Sequence, residues 1–127
     1  MQNVEQITIF PTPIANSNRT SGYVYVARVR FDLSHLHKIG FSKNLKTRMK
    51  TLRGHGYEPE LAAYGYSENA RNVESEILSE LHQYCHSFVF DDNYPKWSNE
   101  FFEFGWPQML RVIEMLEEYC KEPLLTF

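Results

Sequence analysis

The chain has 127 residues, 43% of them hydrophobic and 15% aromatic, enough for one domain that buries a core without covalent staples. Two cysteines, Cys85 and Cys120, exclude a disulfide scaffold, and no apolar run reaches membrane-spanning length. No charged segment leads into an apolar one at the start, so a soluble cytoplasmic (intracellular) protein is the expectation.

The net charge of −3 conceals a division along the chain. Residues 1–57 hold nine Lys and Arg against two acids, a net of +7. Residues 58–127 hold four against fourteen, a net of −10. Between Asp32 and Glu58 there is no acid, yet Lys38, Lys43, Lys46, Arg48, Lys50 and Arg53 all fall there. Such a stretch suits an anionic partner, with a phosphate backbone the leading candidate; neutralisation of one half by the other is the alternative.

Residues 1–20 are polar, broken by Pro11 and Pro13, and read as an N-terminal arm in which Gln6–Phe10 is a candidate edge strand. Residues 21–122 then form the domain. Gly22 to Arg30 is rich in Tyr and Val and reads as a strand, with Tyr23, Tyr25, Ala27 and Val29 on one face. A connection containing two histidines follows, and His37 to Phe41 returns as the second strand. Ser42 is the expected N-cap of a helix from Lys43 to Leu52, buried along Leu45, Met49 and Leu52 and stopped by Gly54-His-Gly56. Arg48 falls at the margin of that stripe, while Lys43, Lys46, Lys50 and Arg53 face solvent.

Glu60 to Tyr66 reads as a third strand, with Leu61, Ala63 and Gly65 on one face and Ala62, Tyr64 and Tyr66 on the other. A helix from Asn69 to Cys85 carries Val73, Ile77 and Leu81 as its apolar stripe. Phe88–Phe90 is a short strand candidate, and Glu100–Phe104 is another. Trp106-Pro107 opens a C-terminal helix whose packing residues are expected to be Leu110, Ile113, Met115, Leu116 and Tyr119. The fold class is α/β (α+β): a small three-stranded antiparallel sheet with packed helices. His82, Cys85 and His86 have helical spacing, but a tetrahedral zinc site needs a fourth ligand that the sequence does not offer. Asp91-Asp-Asn93 lacks the length of a calcium loop.

The order of these pieces resembles the GIY-YIG endonuclease family, and within it the T5orf172/MUG113-like branch. Val24-Tyr25 stands at the first half-motif and Lys38-Ile39-Gly40 at the second, with Lys in place of the usual Tyr. Arg48 follows Gly40 by eight residues, the family's spacing to its catalytic arginine. Arg71-Asn-Val-Glu74 resembles the helix that carries the metal-binding glutamate, with Glu76 a rival, and Asn99-Glu-Phe-Phe102 resembles the closing motif.

The resemblance implies metal-dependent hydrolysis of DNA phosphodiesters, with Mg2+ (or Mn2+) on Glu74. Tyr25 would activate or position the attacking water, Arg48 would clamp the phosphate, and Lys38 would supply a cation that favours the phenolate. Arginine suits the clamp because its planar fork stays charged and matches phosphate oxygens. Magnesium suits a single glutamate because it keeps waters and phosphate oxygens as its other ligands. Lys43, Lys46, Lys50 and Arg53 would contact the backbone rather than bases. Cutting both strands would take a homodimer or two separate events. In one respect the chain departs from the family, which often has Lys or His after the second Gly; here that residue is Phe41. His35, His37 and His55 are candidate substitutes. The competing reading is a catalytically inactive module of the same scaffold that binds DNA or a protein partner.

Overall fold

The computed structural model describes residues 10–13, 20–31, 34–84, 101–102 and 105–125. Three long antiparallel strands form the centre, as the sequence pattern predicts: β1 (Gly22–Phe31), β2 (Ser34–Ser42) and β3 (Glu58–Ser67). Two short strands extend the edges, β4 (Phe101–Phe102) beside β2 and β5 (Lys121–Leu125) beside β3, giving the order β4-β2-β1-β3-β5. The sequence pattern anticipates β4 but not β5. Pro123 fits there because an outer strand has one row of amides that needs no partner. The expected connection from Phe31 to His37 is mostly strand: the β1–β2 register closes at Phe31 opposite Ser34.

Helix α1 (Leu45–Gly54) covers one face of the sheet. Leu45, Met49 and Leu52 are buried there against Tyr25, Ala27, Val29, Leu36, Leu61 and Tyr64. Helices α2 (Ala70–Tyr84) and α3 (Trp106–Tyr119) cover the other, over Val24, Val26, Ile39, Ala63 and Phe102. They are tied to each other by Arg111, whose Nε donates to Glu80 Oε1 at 2.8 Å. Because β1 is covered on both faces, every residue from Val24 to Ala27 is fully buried.

Three local expectations are corrected. Alternation along β3 puts Leu61 and Ala63 on one face, but the β1–β3 register slips between Val26 and Ala27, which pair with Ala63 and Leu61. Ala62 is the extra residue of this bulge, so Leu61 packs on the α1 side with Tyr64 while Ala63 packs on the α2 side. The N-cap of α1 is Asn44 rather than Ser42: Asn44 Oδ1 accepts from the Thr47 amide at 3.1 Å. Ser42 instead closes the turn before it, its Oγ accepting from the Asn44 amide and donating to the Asn44 carbonyl. On α3 Ile113, Met115 and Leu116 are buried as expected, but Met109 and Val112 complete the stripe, and Leu110 and Tyr119 are 42% and 44% exposed. The helix start explains the offset. Pro107 sits in the first turn and Gln108 Oε1 accepts from the Gly105 amide, which turns Met109 rather than Leu110 inward.

The α1 cap gives a stability prediction. Asn44→Ala removes the acceptor for the Thr47 amide and is expected to cost about 1 kcal/mol in urea unfolding. Ser42→Ala, which leaves the helical cap intact, is expected to cost less.

Candidate functional site

Tyr25 and Gly40 face each other across the β1–β2 ladder. The tyrosine ring lies against the glycine so closely that a Cβ at position 40 would sit 2.6 Å from Oη and 2.7 Å from Cζ. Glycine is therefore required by the ring, not by a turn. Lys38, two residues earlier on the same face, is 0% exposed, as is Tyr25. Its Nζ is 5.7 Å from the Tyr25 ring centroid, in reach of the π face, and donates to the Ile39 carbonyl at 3.3 Å. The sequence puts Lys38 on the strand paired with β1, and in the fold the two side chains share one face of the sheet.

The same sheet face carries more tyrosines than the sequence motif requires. Tyr64 pairs with Tyr25, and Tyr23 packs edge-on against Tyr64 (centroids 5.8 Å apart) and Tyr66 (6.1 Å). Burial raises the Tyr23 and Tyr64 phenols above their ordinary value, so both stay neutral. The Tyr23 hydroxyl donates to the Thr12 carbonyl, and Phe10 packs against the cluster, so residues 10–13 lie on this face. The bulge at Ala62 is what turns Tyr64 toward Tyr25 while leaving Ala63 on the opposite side.

At the end of β2 the chain leaves the sheet through Phe41, Ser42 and Lys43, and a shallow cleft of about 690 Å³ opens there. Arg48 reaches it from α1 and Glu74 from α2. Both helices begin at its rim, and neither has an acid in its first turn to offset the positive helix end. Arg71 and Ser75 complete the lining. The guanidinium of Arg71 lies over the Phe41 ring, 5.7 Å from its centroid. Lys43 Nζ also donates to Ser21 Oγ at 3.2 Å, which holds the start of β1 to the end of β2.

The structure thus brings the sequence-predicted residues together in two pairs. Arg48 and Glu74 share the open cleft, and Tyr25 and Lys38 lie in the sheet, where Gly40 is adjacent in sequence to cleft-lining Phe41. Glu74 is half-buried at the cleft, while its rival Glu76 is exposed and outside the lining. Of the basic residues assigned to substrate, Lys43 lines the cleft, and Lys46 and Lys50 are exposed on α1. Arg53 lines a different hollow with Arg28, His37 and Glu58. Among the histidine substitutes, His55 lines a groove of about 510 Å³ with Arg48 and Thr51. His37 pairs with Arg28 on β1, and the side chain of His35 lies outside the described residues. Cys85, His86, the Asp91–Asn93 loop, Asn99 and Glu100 also lie outside them. Arg71 was visible in the sequence as part of the glutamate-bearing motif, but its placement on Phe41 depends on the packing of α2 against β2.

A three-stranded antiparallel core with one helix on one face and two on the other defines a small α+β domain with a basic cleft between helix starts. The chain belongs to the T5orf172 domain family, whose model matches residues 22–117. Neither the curated proteins nor the solved structures give a match.

Two measurements probe this geometry. Gly40→Ala drives a methyl into the Tyr25 ring and is expected to lower stability by about 1–3 kcal/mol, read from denaturant unfolding. His37 carries a pH effect. Burial, with Arg28 adding repulsion, lowers its pKa from 6.5 to about 4. Between those values the unfolded chain binds the proton and the folded chain does not. Stability from this residue is therefore present above pH 6.5 and is lost as pH falls through about 4. His37→Gln is expected to flatten the fall in thermal midpoint over that window.

Proposed function

We propose that this protein is a metal-dependent DNA endonuclease of the GIY-YIG type. The observation that carries the reading is the meeting of Arg48 and Glu74, from two different helices, at one cleft whose Phe41 follows Gly40, the residue on which the Tyr25 ring packs. A phosphodiester entering that cleft meets Lys43, Arg48 and the starts of two helices, all of which favour an anion. Arg48 is the clamp: its fork pairs with two phosphate oxygens and remains available as negative charge builds during attack.

Glu74 is the carboxylate present to hold a divalent cation. No group of three or more His, Cys, Asp or Glu side chains positioned for a metal exists among the described residues, so the donor set fits magnesium or manganese better than zinc. Such an ion would take its remaining ligands from water and phosphate, and it supplies Lewis-acid stabilisation of the phosphate and leaving oxygen. Tyr25 is the group that orients the attacking water, with Lys38 holding positive charge against its ring. The ring is fully buried in this conformation, so this role requires DNA to uncover it from the cleft side. Nicking one strand needs one copy of the chain.

That burial also favours a second reading, a module of this scaffold that binds DNA without cutting it. With Tyr25 and Lys38 fully covered and Phe41 beneath Arg71, the basic cleft remains while the water-activating groups stay enclosed.

Plasmid nicking with magnesium or manganese separates the two. The nuclease reading expects metal-dependent nicking that falls on the order of a hundredfold or more in Arg48→Ala and Glu74→Ala. Tyr25→Phe and Lys38→Met are expected to lose nicking without losing the fold. Intact DNA binding with no nicking under any metal supports the module. Nicking that survives both Arg48→Ala and Glu74→Ala defeats the proposed site.

A further inference from the structure

We infer that Arg71 is a second DNA-phosphate contact in this cleft and that Phe41 is the platform that aims it. The inference rests on the proposal that the cleft receives DNA. Three features lead to it. Arg71 is exposed, yet its guanidinium lies over the Phe41 ring, so a side chain that would otherwise sample many rotamers is held at the cleft wall. It precedes Glu74 by three residues and therefore shares its helix face, placing a cation one turn from the carboxylate. Lastly, among the described residues the cleft lining holds Lys43, Arg48 and Arg71 against the carboxylate Glu74, a net charge of +2.

A cation–π contact at this distance uses the charge of the guanidinium and leaves N–H donors of the exposed Arg71 able to reach a ligand in the cleft. Arg48 approaches from α1 and Arg71 from α2, so the two forks close on the backbone from different walls. Phe41, at the position following the Lys38-Ile39-Gly40 segment, contributes no donor of its own; it contributes by orienting one.

The experiment measures DNA affinity against salt and plasmid nicking for the full chain and for Arg71→Ala, Arg71→Lys and Phe41→Leu. Arg111→Ala, on α3 and ion-paired away from the cleft, is the control. Thermal melting confirms that each variant is folded. Losing one phosphate contact lowers the slope of log affinity against log salt by about one, and that is the expectation for Arg71→Ala. Its nicking is expected to fall on the order of a hundredfold, the lower end of the range seen when one donor to developing charge is removed. Arg71→Lys is expected to retain the slope but recover little of the nicking, because charge remains while the planar fork is lost. Phe41→Leu, which keeps an apolar side chain but no aromatic face, is expected to match Arg71→Lys.

An Arg71→Ala protein with the slope and nicking of the parent, or one no weaker than Arg111→Ala, overturns the contact. Parental behaviour in Phe41→Leu overturns the platform. A parent that binds DNA without nicking ends the nuclease reading, and the salt slope then still decides the role of Arg71. A parent without DNA affinity at low salt overturns both readings.

Discussion

The packing of the Tyr25 ring on Gly40 is the contact from which the site is built. It needs a residue with no side chain on β2, directly opposite an aromatic on β1. Once the ring lies there, it spreads over the floor beneath α1 and meets Leu45 and Met49 in one apolar cluster. It also offers a face to the buried Lys38, whose Nζ lies 5.7 Å from the ring centroid. The turn that follows Gly40 is short and tied by Ser42 to Asn44, so α1 starts at a fixed distance from the ring. The eight-residue separation of Gly40 from Arg48 is the sequence image of that arrangement: a ring seat, a capped turn and one turn of helix.

The cleft depends on a different relationship, between the ends of elements. Ser21, Ser42, Asn44 and Ala70 all belong to the same end of the sheet, where β1 begins, β2 ends and two helices start. The Ala70 amide donates to the Thr20 carbonyl at 2.8 Å, and a side chain at Gly22 would meet Ala70 Cβ at 3.5 Å, so α2 is pinned against the start of β1. This close approach brings a residue of α2 into the same cleft as a residue of α1. The positive charge of residues 1–57 is therefore not spread evenly over the molecule: part of it, with Arg71 from the acidic half, is gathered at this cleft.

Much of this was legible in the sequence because the signals were periodic or spaced. β1 follows from Tyr- and Val-rich alternation, β2 and β3 are read from His37–Phe41 and Glu60–Tyr66, and Leu45, Met49 and Leu52 mark the buried face of α1 at helical spacing. Arg48 sits at the edge of that face, as its place beside Met49 implies. Other features lacked a local mark. The bulge at Ala62 inserts one small residue among others like it, and strict alternation then assigns Leu61 to the wrong face. Ser42 and Asn44 are both competent caps, and only the geometry of the turn shows that the serine binds the loop while the asparagine binds the helix. On α3 the expected Ile113, Met115 and Leu116 are buried, but Met109 and Val112 take the places assigned to Leu110 and Tyr119, which an apolar count along one helix does not distinguish. The choice between Glu74 and Glu76, and the pairing of Arg71 with Phe41, are facts about how α2 lies on the sheet, which spacing along one helix does not contain.

β1 is hydrogen-bonded along both sides, to β2 from Tyr23 through Phe31 and to β3 from Gly22 through Arg30, and it is covered above and below. Its amides can exchange with solvent deuterium only when the whole sheet opens, whereas those in the exposed first turns of the helices are released by local fraying. Tyr25 thus belongs to the last part of the molecule to come apart. The arginines and the glutamate ride on elements able to move without it.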